Sequence, residues 1–153
     1  MQQRITDYYH PYHNTLKNKL DALYKPFAGV WHIDCHTMKS TGNQMNIDSG
    51  AARPDIVIGD NDGLCAGSEF VERVELSFRK QGYKVVRNAP YKDGYLVTNY
   101  ADKAKNKHSI QIEVNRALYM DEDTTLPNDN FDNFQRDIGK VAGQIADVVK
   151  GRL

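Results

Sequence analysis

The chain predicts an α/β layered domain, and three observations carry that prediction. Asp55-Ile56-Val57-Ile58 is an essentially apolar run closed by Gly59, as in a strand covered on both faces. Short β-prone segments alternate along the chain with segments of helical period. The C-terminal segment places Phe131, Phe134, Ile138, Val141, Ile145 and Val148 on one helical face.

Each element has a local reason. Tyr9, Tyr12, Leu16, Leu20 and Leu23 recur at three- and four-residue steps, predicting a first helix capped by Thr6 or Asp7. Pro11 falls where first-turn N–H groups have no partner, and Pro26 is expected to end the helix before Gly29. Val30 to His36 reads as a strand with Cys35 as a small core residue. A second helix opens at Ser68, turns Phe70, Val71, Val74 and Phe78 inward, and closes at Gly82. Tyr83 to Arg87 is a third strand, and Asp93-Gly94 a turn. Tyr95 to Tyr100 reads as strand or ordered loop, and Ser109 to Val114 as a strand of clean alternation. In the last helix, Gly139 and Gly143 are expected to allow close packing on the sheet. Asp121 to Asn130 is a polar, acidic connector. With no internal repeat and no boundary signal, residues 1–153 are expected to form one domain.

Composition narrows function. With 153 residues, 20 Lys+Arg and 20 Asp+Glu, the formal net charge is zero. No global field draws nucleic acid or an anionic membrane. Mean hydropathy is −0.67, and no apolar run approaches the ~20 residues of a membrane span. The first residues lack the charged start and apolar stretch of a signal peptide. Two cysteines and no N-x-[ST] acceptor make a reduced, cytoplasmic setting the expectation. G-x-x-x-x-G-K-[ST], G-x-S-x-G, H-E-x-x-H and C-x-x-C are all absent.

Two strands carry chemistry on one face. In Val30 to His36, period two puts His32, Asp34 and His36 together, opposite Trp31, Ile33 and Cys35. Such a set can bind a divalent metal, hold a carboxylate-oriented histidine, or simply be an exposed polar face. In the later strand Gln111, Glu113 and Asn115 line one face and Ile110, Ile112 and Val114 the other. A carboxylate in so apolar a strand must be solvated, paired or functional, with Arg116 or a nearby lysine as the simplest partner. Two polar faces carrying ligand and acid/base residue types point to a shared pocket. His10 and His13 share a helical face at a possible metal-pair spacing. Asp60-Asn61-Asp62-Gly63 reads as a turn, and Lys103, Lys105 and Lys107 as a basic loop.

A series of motifs then carries a resemblance. Tyr9-His10-Pro11-Tyr12-His13, His32-Ile33-Asp34-Cys35-His36-Thr37-Met38 and Arg53-Pro54-Asp55-Ile56-Val57-Ile58-Gly59 appear in order. Asn88-Ala89-Pro90-Tyr91-Lys92-Asp93-Gly94-Tyr95 and Ile110-Gln111-Ile112-Glu113-Val114-Asn115-Arg116-Ala117-Leu118-Tyr119-Met120 follow. From about Tyr8 to Glu122 the chain resembles the N-formylglutamate amidohydrolase family, zinc hydrolases related in fold to the zinc carboxypeptidases. The resemblance implies a three-layer α/β/α fold with a mixed, largely parallel sheet. It implies a Zn2+ cofactor, with His36 as a ligand and Asp34 as a further ligand or its orienting neighbour. It implies Glu113 as general base, and Arg116, Asn88 and Tyr95 as groups facing a small N-acyl amino acid. In the related hydrolases two more zinc ligands come from an N-terminal half that the match does not include. The expectation is therefore a domain lacking that half, with an uncovered sheet edge, and either a homodimer through that edge or a rearranged start. A non-catalytic remnant that binds a ligand or partner chain is the alternative.

Overall fold

Four strands make one mixed sheet in the order β1-β4-β2-β3 in a computed structural model that describes residues 2–46 and 48–151. They are β1 (Val30–Met38), β2 (Ile56–Gly59), β3 (Val85–Arg87) and β4 (Lys107–Asn115). β1 runs parallel to β4 and β2 parallel to β3, while β2 and β4 are antiparallel. The sheet is mixed, as expected, with β1 and β3 at its edges.

The β4 alternation is obeyed on both faces. Ile110 and Ile112 join Ile56, Ile58, Phe70, Val74, Val141 and Ile145 in the core, beneath α3 (Ser68–Arg79) and α5 (Phe131–Lys150). Ser109, Gln111, Glu113 and Asn115 point to the other face, yet each is buried as well. That second face is roofed by α2 (His10–Phe27) and α4 (Tyr95–Tyr100), where Tyr100 meets both His13 and the ring of His32. Helices on both sides give the three layers.

Several local expectations are corrected. A short turn, α1 (Gln2–Arg4), and a π-helical segment, Ile5–Tyr9, continue straight into α2, so Thr6 and Asp7 lie within the helical run. Thr6 Oγ1 donates to the Gln2 carbonyl instead of capping. Pro26 lies inside α2. The helix ends at Phe27, because Ala28 turns left-handed at φ 50° and donates its N–H to Tyr24 O at 2.8 Å. The apolar stripe of α2 is shallow, with Leu16 and Leu20 half-buried and Tyr9, Tyr12 and Leu23 exposed. Tyr95 to Tyr100 is a helix, anchored by the fully buried Val97. Gly139 and Gly143 face open space, with nothing within 4 Å of an added Cβ. Phe134, Val141 and Ile145 do the packing. Cys35 is exposed, because β1 is an edge strand that α5 does not reach across.

Candidate functional site

The parallel register of β1 and β4 brings the two polar faces side by side. His32 stands opposite Ser109, Asp34 opposite Gln111, and His36 opposite Glu113. His36 Nε2 lies 3.0 Å from Asp34 Oδ2, and its Nδ1 lies 3.9 Å from Glu113 Oε1. The imidazole thus has a carboxylate on each side.

Glu113 is the least ordinary group. Only 6% exposed, it accepts a hydrogen bond at Oε1 from Gln111 Nε2 at 2.6 Å, while its Oε2 is buried with no protein partner. Burial pushes its carboxyl above the usual range, and the Gln111 bond, His36, Arg53 and Arg116 partly oppose the rise. A buried carboxylate oxygen without a partner is costly unless something else occupies the space before it.

Arg116 is tied to Thr37, the residue after His36. It follows β4 in a 3-10 turn, Arg116–Leu118, and its Nε donates to Thr37 Oγ1 at 3.1 Å, next to His36. Asn88 and Tyr95 are committed elsewhere. Asn88, left-handed at φ 57°, donates Nδ2 to Asp60 Oδ1 at 2.8 Å and accepts Asp60 N–H at Oδ1. The Tyr95 hydroxyl accepts from Tyr9 at 2.9 Å, and its ring meets His13 edge-on. His13 Nδ1 is 2.6 Å from the Tyr100 hydroxyl, and His32 Nδ1 is 2.8 Å from Ser109 Oγ. These contacts take up His32 and His13 in the polar roof.

Sequence reasoning passed over Arg53. Its side chain is 3% exposed, held by two bonds to Asp48 at 2.7 and 2.9 Å and stacked over Tyr91 at 5.1 Å. Its charge still reaches Glu113. Only the position of Arg53 just before the buried β2 hinted at this.

Zinc is the group the resemblance implies, and the side chains fit it only in part. His36, Asp34 and the partnerless oxygen of Glu113 have suitable chemistry. However, among the described residues no three His, Cys, Asp or Glu side chains gather as a metal shell. A catalytic zinc takes three protein ligands. The described residues of one chain therefore do not by themselves fit such a site. A concavity of about 680 Å³ lies between β1 and α5, lined by Trp31, Ile33, Cys35, Val114, Ile138 and Ala142, and it is almost wholly apolar. No described helix is long and apolar enough to cross a membrane.

The family model described as N-formylglutamate amidohydrolase matches residues 1–120. An N-formylglutamate deformylase of Pseudomonas putida is 31% identical over 113 residues, covering 73% of this chain and 41% of its own. One of Pseudomonas aeruginosa is 27% identical over 119 residues, covering 77% and 44%. The crystal structure of N-formylglutamate amidohydrolase from Ralstonia eutropha JMP134 superposes with a TM-score of 0.92 at 37% identity. That match covers 99% of this chain and 55% of the other. The chain spans about half the length of the relatives it matches.

Proposed function

Since this chain belongs to the N-formylglutamate amidohydrolase family, we propose that it carries the general-base part of an amide hydrolase acting on a small N-acyl amino acid of the N-formylglutamate type. The observation that carries this reading is Glu113, buried beside an imidazole with one oxygen free of any protein partner. In its ionised form Glu113 takes a proton from a water at Oε2 as that water adds to the amide carbonyl. It then returns the proton to the departing nitrogen, so the carboxylate is regenerated. Gln111 fixes the carboxylate plane through Oε1 and leaves Oε2 as the basic atom. A carboxylate whose proton affinity is raised by burial is a stronger base than a solvated one.

Arg116 is held against Thr37, the residue after His36, and its fork suits a substrate carboxylate. Asn88 and Tyr95 enter this reading only by exchanging the partners they now have. Zinc belongs to the proposal with His36 and Asp34 as its ligands from this chain, and no step is assigned to it because the shell is incomplete in the described residues. The incomplete shell also favours a second reading, a non-catalytic fold that binds a carboxylate ligand or a partner chain.

Formate release from N-formylglutamate by purified protein, with zinc supplied, separates the two. The enzyme reading expects turnover that disappears in Glu113→Gln while zinc content stays the same. Absence of turnover in protein that has bound zinc would sink it and leave the binding reading.

A further inference from the structure

Asn115 is the last residue of β4 and lies on its polar face, two residues beyond Glu113. It is 7% exposed. Its amide Nδ2 donates to the carbonyls of Arg53 and Pro54, both at 3.3 Å, and its Oδ1 accepts the Ala117 N–H at 3.1 Å. Its backbone N–H donates to Asp55 O at 2.9 Å. One residue thus joins two segments that are far apart in sequence. The first is the run from Arg53 into β2, whose Val57 pairs with Glu113. The second is the 3-10 turn Arg116–Leu118.

Each segment carries a guanidinium. Arg53 is clamped on Asp48, and Arg116 donates from Nε to Thr37 Oγ1 at 3.1 Å. Burial raises the Glu113 carboxyl and both guanidiniums act against the rise, so both charges are felt at that carboxylate. Ending the strand in a capped turn needs only an acceptor, which serine, threonine or aspartate supplies as well. The donor half of the amide is what reaches the Arg53 segment, and among short side chains asparagine offers both halves. The two carbonyls it meets lie ahead of the β2 ladder, which begins at Ile56, so the amide does for them what a strand partner does further on.

We propose that Asn115 is a positioning residue for carboxylate recognition, holding the Arg116 turn and the Arg53 segment in fixed places around Glu113. This role rests on the reading of Arg116 as a group that meets a substrate carboxylate. Asn115 acts through the two arginines and touches no substrate itself. Without Oδ1 the Ala117 N–H loses its partner, and the turn that aims Arg116 is free to shift. Without Nδ2 the Arg53 segment loses its tie to β4 while Asp48 still holds the guanidinium.

Proton–nitrogen correlation spectra of the arginine Nε–H groups, with calorimetric titration of glutarate in zinc-free buffer, provide the test. Glutarate has two carboxylates and no amide, so its binding is independent of hydrolysis. In the parent protein the Arg53 and Arg116 signals are expected apart from those of solvent-exposed arginines, and glutarate is expected to move the Arg116 signal. Asn115→Ala should return the Arg116 signal to the exposed range and weaken glutarate binding about tenfold, the order of one charged hydrogen bond, with circular dichroism unchanged. Asn115→Asp keeps the acceptor and loses the donor. It should restore the parent Arg116 signal and displace that of Arg53. Should alanine unfold the chain, the aspartate variant decides by the same two signals. An Arg116 signal that stays in place in Asn115→Ala overturns the inference, as does an aspartate variant that leaves the Arg53 signal where it was. If the signals move as expected and the parent protein binds no glutarate, the reading of Arg116 falls and the tether stands.

Discussion

Gln111 and Glu113, two residues apart on one strand, are joined by a 2.6 Å hydrogen bond from the amide of the first to Oε1 of the second. The bond spends the donor of one buried polar group on the acceptor of the other and leaves Oε2 of Glu113 without a hydrogen-bond partner. The strand's period of two makes this contact possible, and burial gives it consequences.

Glu113→Gln should separate function from stability. Removing the base is expected to lower hydrolysis ~10²–10⁴-fold in whatever assembly is active. Its raised carboxyl means the fold favours the neutral form, so its stabilising contribution is present below the unfolded carboxyl range and is lost as pH rises through the raised value. The neutral amide escapes that loss. The melting temperature of Glu113→Gln should therefore gain on the parent protein from acid to neutral pH, and a gap that narrows instead would contradict the assignment.

Gly94→Ala should reach Glu113 indirectly. A Cβ there would lie 2.8 Å from Gln111 Oε1, and the backbone is extended, so alanine is tolerated and the Gln111 side chain must move. Losing the Gln111 bond removes one of the influences holding the Glu113 carboxyl down. The acid limb of the pH–rate profile is expected to shift to higher pH. An unmoved limb would show that Gln111 does not tune the base.

The Arg53–Asp48 pair is a partly buried ion pair whose halves depend on one another. Asp48→Ala strands a guanidinium whose side chain is 3% exposed, readable as a fall in the denaturant midpoint. Replacing both, Arg53→Met with Asp48→Leu, is expected to cost less than the single change. Equal losses would mean the charges are solvated.

Tyr83 carries a phenol raised well above its ordinary value. Burial, followed by its bond to Asp137 Oδ2 at 3.1 Å, pushes the phenol up to about 12. A phenol raised in the folded state contributes stability that is fully present below its ordinary value of ~10 and lost as pH rises to about 12. Tyr83→Phe should lose the last step of the phenolate absorbance titration and show a shallower alkaline loss of stability. An unchanged titration would place the raised phenol elsewhere.

Period and turn chemistry made much of the fold readable. The β4 alternation from Ser109 to Val114 fixed which residues face the core. The stripe of α5 did the same for Phe134, Val141 and Ile145. Those signals are local, and so is the same-face set of Asp34 and His36. The α2 stripe misled because periodicity records which side is apolar and not whether a partner covers it. Tyr95 to Tyr100 was ambiguous because six residues give too little period to separate strand from helix.

Residue types and spacing determined that Asp34 and His36 share one strand face and that Glu113 lies on the polar face of another strand. Tertiary structure alone decided that β1 and β4 are parallel neighbours in the register that opposes His36 to Glu113. It also decided that Asn88 answers to Asp60 and Tyr95 to Tyr9, and that Cys35 stands on an open edge. Strand pairing and side-chain partnership are set by contacts between distant segments, whose free energy no single segment contains.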